Sequence, residues 1–116
     1  MQKTNPVLRN TIAKLEEAGR KNDASVYTRA AEELKKSEKN KVEVNVSRIQ
    51  RHAEDGDTVL VPGKLLGSGR LDKDVEVAAF DATSSAKKIV KESGDFKFIE
   101  DLVKENPEGK KVKLMV

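Results

Sequence analysis

The sequence predicts an α/β fold: a compact layered domain in which an N-terminal helical hairpin is followed by alternating strands and helices. Three observations carry this. Apolar residues recur at helical spacing through the first third of the chain. Short β-branched runs at 42–46, 58–61 and 75–80 are then interleaved with helical stretches. With 116 residues, 36% of them apolar and 37% charged, there is material for one modest core and not for two. Strands alternating with helices favour a sheet containing parallel pairs.

Each element has its own signal. Asn5 can cap a first helix and Pro6 suits its first position, where the missing N–H costs nothing. Leu8, Ile12, Leu15 and Ala18 give that helix one apolar face, and Gly19 puts its end nearby, with fraying through Lys21. Asp23 or Ser25 starts a second helix with Val26, Ala30 and Leu34 as its buried stripe, Tyr27 and Ala31 beside it, and Glu32 and Lys36 able to pair one turn apart. Residues 37–41 read as a polar, basic connector.

The second part continues the alternation. Residues 42–46 alternate as a strand, and Ser47 can cap a short helix carrying Arg48, Ile49, Arg51, His52 and Ala53. Asp55-Gly56-Asp57 is a turn, and 58–61 is a buried β-run. A glycine loop spans 62–70, and 75–80 reads as another buried strand. Thr83 or Ser84 caps a helix built on Ala86, Ile89 and Val90, closed by Gly94. Phe96 and Phe98 suggest a short strand. Ile99, Leu102 and Val103 continue as a helix stopped by Pro107 and turned by Gly109. Val112, Leu114 and Val116 alternate as the last strand. Residues 1–116 are thus read as one domain, with a basic helical part over 1–41 and an α/β core over 42–116.

The net charge is +3, and its distribution says more than its sum. Residues 1–41 carry ten Lys or Arg against six Asp or Glu, 42–69 carry three against four, and 70–116 carry ten against ten. A basic first third permits a polyanionic partner without demanding one. With no cysteine, disulfides, thiolate metal sites and cysteine nucleophiles are excluded. The start of the chain lacks the apolar run of a signal peptide. No stretch approaches the ~20 apolar residues of a membrane span. A cytoplasmic protein with no membrane partner is expected.

The candidate chemistry is sparse. A phosphate-cradling loop needs a Lys-Ser/Thr pair after its last glycine and a helix beyond it. Here Lys64 follows the first glycine, and the residues after Arg70 look like turn and strand. The dinucleotide fingerprint fails because Asp72 stands at its third glycine position. The loop then has two readings. One is a tight connection that needs glycine for its backbone angles. The other is a close approach to nucleic-acid phosphate by the bare amides of Gly63, Gly67 and Gly69, beside Ser68, with Lys64 and Arg70 adding charge. His52 is the only histidine, with no triad partner and no second metal ligand in view. Adjacent acids such as Glu54-Asp55 and Glu100-Asp101 diverge on a helix and read as solvated faces. No cofactor and no enzymatic activity are expected. Lys3, Arg9, Arg20, Lys21 and Arg29 could contact phosphate, although a merely soluble charged helix pair accounts for them as well. Aromatics are too few for a stacking platform, so RNA binding would be led by phosphate and shape.

Particular stretches go further than composition. Lys3-Thr4-Asn5-Pro6, Val44-Asn45-Val46-Ser47-Arg48-Ile49, the run from Val61 through Pro62-Gly63-Lys64-Leu65-Leu66-Gly67-Ser68-Gly69, then Lys73-Asp74-Val75-Glu76-Val77-Ala78-Ala79, and Asn106-Pro107-Glu108-Gly109 stand in order along the chain. Together they resemble the archaeal and eukaryotic family of large-subunit ribosomal protein eighteen-e. The glycine segment is also similar to the core shared with bacterial ribosomal protein fifteen. The compact length resembles the archaeal members. The resemblance implies a three-layered α/β unit, a structural role in the large subunit, and ribosomal RNA and neighbouring ribosomal proteins as partners. It implies RNA contact through Lys3, Thr4, Asn5 and Arg9 and a functional surface at the Gly63–Gly69 loop. Arg20, Lys21, Arg48, Lys64 and Arg70 complete the candidate RNA-binding set. A protein–protein module in the C-terminal half and, last, a phosphoryl-handling enzyme at the glycine loop remain as alternatives.

Overall fold

The structure, a computed structural model, describes residues 6–36 and 42–116. Its elements, in chain order, are α1 (Pro6–Lys21), α2 (Ser25–Lys35), β1 (Glu43–Asn45), α3 (Val46–His52), β2 (Thr58–Leu66), β3 (Glu76–Ala82), α4 (Ser84–Ser93), β4 (Asp95–Phe98), α5 (Ile99–Glu105) and β5 (Val112–Leu114). The expected α/β class is what is found, and every strand pairing among the described residues is parallel. The order is β1-β2-β3-β4, with β5 also on β2. β1 pairs with 64–66 of β2 and β5 with 58–60, so the two short strands lie end to end along one side of β2.

Alternation along the strands decides which helix covers which face. Val59, Val61 and Leu65 of β2, Val77 and Ala79 of β3 and Phe96 of β4 pack with Val46 and Ile49 of α3 and Ala86 and Val90 of α4. Leu60 and Ala78 point the other way, into a second cluster with Leu15 of α1, Tyr27, Ala30, Ala31 and Leu34 of α2, and Ile99 and Leu102 of α5. Three layers result: α3 and α4 on one face, the sheet, and α1, α2 and α5 on the other. The helical hairpin is therefore one layer of the core.

Several local expectations are corrected. α1 ends at Lys21, within the expected bounds, but Gly19 is not its terminator: it lies buried inside the helix, where an added Cβ would meet the Thr28 hydroxyl at 2.3 Å, and lets α2 approach. Tyr27, completely buried, takes the centre of the α2 stripe, and Val26 is only partly buried. Lys36 has left the helix with extended angles and pairs with Glu33 at 3.0 Å in place of Glu32. Val46, which alternation assigned to a strand, is the first residue of α3, so Ser47 lies inside that helix and does not cap it. The larger correction concerns the glycine loop, of which 62–66 are strand. Pro62 and Gly63 fall within an irregularity in the β2–β3 register between Val61 and Lys64, a position that tolerates a residue without an N–H. Other signals read true: Thr83 caps α4 by accepting from the Ala86 N–H at 3.2 Å, and Gly94 follows as its C-cap.

Candidate nucleic-acid interface

The glycine segment leaves the C-terminal end of β2 and threads between the starts of α3 and α4. A Cβ on Gly67 would lie 2.4 Å from Ser85 Oγ and 2.5 Å from the Ala86 amide nitrogen. A Cβ on Gly69 would lie 2.6 Å from the Ser47 Cβ, and Gly69 also has φ +106°. Both glycines thus make room for the protein's own helix ends. Gly63 similarly meets the Val42 carbonyl, which accepts from the Lys64 N–H at 2.9 Å. Beyond the turn the chain is pinned to α3: Gln50 Nε2 donates to Asp72 Oδ1 at 2.8 Å, and the Asp72 N–H donates to Gln50 Oε1 at 3.1 Å. Leu71 is buried, and its carbonyl accepts from the Ser93 hydroxyl. Ser68, Gly69 and Arg70 remain exposed on this fixed base. No helix follows them before β3, so the strand–loop–helix context of a phosphate-cradling loop is not formed.

The candidate cations fall into three places. Thr11 of α1 donates to Glu100 Oε2 at 3.1 Å, and Lys14 lies 3.7 Å from the same carboxylate. Glu100 is in the first turn of α5, directly after the C-terminal end of β4. The α1–α2 turn lies at the other end of the sheet, where a Cβ on Gly109, just before β5, would stand 3.5 Å from that of Ala24, so α1 runs antiparallel to the strands and carries Arg9 toward their C-terminal half and Arg20 and Lys21 the other way. Lys64 is exposed in β2, on the sheet face opposite the buried Leu65, and its register neighbours are Glu43 and Asp81. Arg48 belongs to α3 on the far face, close in sequence to Ser47 and so to Gly69. Arg70 pairs with Asp72 at 3.0 Å while its own side chain stays 82% exposed. The fold thus gathers Arg9 and Lys64 on one side and Arg48, Ser68, Gly69 and Arg70 on the other, both toward the C-terminal half of the sheet, and separates Arg20 and Lys21 from them. Lys3, Thr4 and Asn5 lie outside the described residues, as does the 37–41 connector. None of Arg9, Arg20, Arg48 or Lys64 forms an ion pair among the described residues.

Strong electrostatic pairing lies elsewhere and serves the frame. Lys97 sits between Glu76 and Glu105; burial pulls its pKa down, but the two carboxylates outweigh this and hold it above the ordinary lysine value. Asp57 accepts from the Glu54 N–H and from Lys113, which lowers its pKa and raises that of Lys113. Burial, helped by the charge of Glu76, pushes the Tyr27 hydroxyl up to about 12 while it donates to the Asn106 carbonyl. No group of three potential metal ligands occurs among the described residues, where His52 is exposed at the end of α3. No helix among them is long and apolar enough to cross a membrane.

Arg51, Lys88 and Lys91, all exposed on α3 and α4, are absent from the candidate set read from the sequence. A signal existed in their spacing, because Lys88 and Lys91 share a helix face, as do Arg48 and Arg51.

No protein-family model matches the chain. Curated proteins do. The chain is 43% identical over 115 residues to large ribosomal subunit protein eL18 of Haloarcula marismortui, covering 99% of each. It is 45% identical over 113 residues to the protein of that name from Methanococcus maripaludis, covering 97% of this chain and 94% of the relative. With the one from Archaeoglobus fulgidus it is 44% identical over 117 residues and the full length of both.

Proposed function

This chain belongs to the large ribosomal subunit protein eL18 family, and from that we propose that it is a structural constituent of the large subunit of the archaeal ribosome, working in the cytoplasm. Its relatives carry the name of a ribosomal protein and not of an enzyme. In this reading ribosomal RNA is held through phosphate contacts, with neighbouring ribosomal proteins on the remaining surface. The mechanism is positional: cations on a rigid α/β frame neutralise phosphates and fix RNA helices relative to one another.

The observation that carries the reading is a set of cations without ion-pair partners among the described residues, Arg9 exposed on α1 and Arg48 half-buried on α3 beside the fixed glycine turn. Lys64 is the weaker contact, because Glu43 and Asp81 stand beside it in the sheet and lower the local potential. Ser68, Gly69 and Arg70 offer backbone and guanidinium donors next to Arg48. Arg20 and Lys21, at the other end of α1, are left out of this set.

The test is affinity for large-subunit RNA fragments over a salt series. If about five phosphates are neutralised, log affinity falls against log salt with a slope near −3.5 to −4.5. Arg9→Ala with Lys64→Ala should flatten that slope without unfolding the protein, most of the effect following Arg9. A flat slope for the unaltered protein would remove phosphate-led RNA binding from consideration.

A further inference from the structure

Once the helices are sorted by layer, the charge is distributed quite differently from its order in the sequence. α1, α2 and α5 together carry seven Lys or Arg and seven Asp or Glu. α3 and α4, on the other face of the sheet, carry Arg48, Arg51, Lys87, Lys88 and Lys91 against a single acid, Glu92. The basic helices α1 and α2 thus share a layer with acidic α5, which balances their charge, while α3 and α4 carry a surplus on the opposite side.

We propose that the outer face of α3 and α4 is the protein's main phosphate-contacting surface, where it lies against the RNA backbone; this rests on the ribosomal reading above and says which side of the molecule meets the RNA. Four further features support it. Like charges stand one turn apart at Arg48 and Arg51, Lys87 and Lys91, and Lys88 and Lys91, an arrangement that opposes helix formation. Among the described residues none of these five cations lies within ion-pair distance of a carboxylate, and Glu92, one turn from Lys88, is the single acid on the two helices. Asp72, the acid on the loop docked against α3, is already engaged by Gln50 and Arg70. Within each helix the spacings are well inside the ~10 Å over which charges act together at moderate salt, so the cations of α3, and those of α4, each act jointly on a polyanion.

The same face argues against a protein partner. A stable protein interface has an apolar or aromatic centre. The exposed large apolar side chains among the described residues are Val7, Phe98 and Val116. Of these, Val7 lies on α1, and Phe98 stands at the rim of this face, packed edge-on against Phe96 with the Lys87 ammonium 5.1 Å from its ring. Charge without an apolar centre suits phosphates.

Two triple variants of equal net charge test this in the full chain. Arg51→Ala/Lys88→Ala/Lys91→Ala strips the α3–α4 face, leaving Lys87 on its rings; Arg20→Ala/Arg29→Ala/Lys104→Ala strips the opposite layer. Circular dichroism first shows whether both fold. On large-subunit RNA fragments the first variant should flatten the log affinity–log salt slope by about 2–3, the second by less than about 1. Equal flattening by both, or none by the first, overturns the assignment of the face while a steep slope in the unaltered protein keeps the ribosomal reading. A flat slope in the unaltered protein overturns both. If the first variant does not fold, lysine acylation of the unaltered protein decides: RNA should protect Lys88 and Lys91 and leave Lys104 reactive, and the reverse pattern refutes the proposal. Binding of polyglutamate as tight as that of RNA at the same salt would also refute it, in favour of an acidic protein.

Discussion

Replacing Tyr27 by Phe should change stability by an amount that reverses sign with pH. The Tyr27 ring is completely buried in the α1–α2–α5 layer, and its hydroxyl donates to the carbonyl of Asn106, beyond the end of α5. That carbonyl also accepts from the Gly109 N–H at 3.0 Å, so it is not orphaned when the hydroxyl goes. The loss at neutral pH is therefore that of an ordinary hydrogen bond, about 1 kcal/mol. For a chain of 116 residues this is about 4 °C in Tm. Alkali acts in the opposite direction. The folded-state pKa is raised to about 12 from 10.0, chiefly by burial, so the phenol ionises first in the unfolded chain. Its stabilising contribution is complete below pH 10 and is lost as pH rises through about 12, by about 3 kcal/mol in all. Phe has no such loss. The advantage of Tyr over Phe should vanish near pH 11 and become a disadvantage above it. Denaturant unfolding of both forms from pH 7 to 11.5 measures this. The chain has one tyrosine and no tryptophan, so phenolate absorbance titrates Tyr27 alone. A native midpoint near 10, or a Tyr–Phe difference independent of pH, would refute the argument.

Two other perturbations probe the glycine turn and the acid limb. Gly69→Ala combines a left-handed backbone (φ +106°) with a Cβ 2.6 Å from that of Ser47, and should cost about 2–4 kcal/mol in denaturant unfolding. Gly56→Ala, with φ +91° and open space around it, should cost only the backbone part, about 1–2 kcal/mol; equal losses would mean that the contact with Ser47 is soft. Asp57 has a lowered pKa, so its contribution is present above the ordinary value of 3.8 and is lost as pH falls through the folded value. Asp57→Asn should lower Tm at pH 7 and flatten its fall on acidification below about pH 4; parallel curves for the two forms would contradict this.

What the sequence made legible followed from local chemistry. α4 could be read because Thr83, Ala86, Val90 and Gly94 each do what their residue types favour at a helix start, face and end. β2 could be read only to Val61, because Pro62 and Gly63 are breakers by type and become strand residues only when β1 and a shifted β3 register absorb them. The α3 boundary was missed because Val44 and Val46 are two apart, which looks like strand periodicity, while both are buried through different elements. The family resemblance came from ordered motifs and agrees with the relatives. The grouping of cations could not be read, since it depends on which sheet face each helix covers. The direction of α1, set by Thr11 and Lys14 on Glu100, likewise separated Arg9 from Arg20.

The placement of β1 and β5 on β2 bears on how the molecule comes to be folded. The last strand closes the lower half of the β2 edge, where the Met115 N–H reaches the Leu60 carbonyl at 2.9 Å, and Val112 and Leu114 pack against the cluster that buries α1 and α2. α1 and α2, which leave the ribosome that makes them before β5 does, thus wait for that strand before their apolar side is fully covered. Among the described residues the strand pairs are all parallel and distant in sequence, so acquisition of the native state should be slower than the helical content would suggest. Until β5 docks, the nascent chain presents an unpaired stretch of β2 and a partly open aliphatic surface, which is where a chaperone would be expected to hold it.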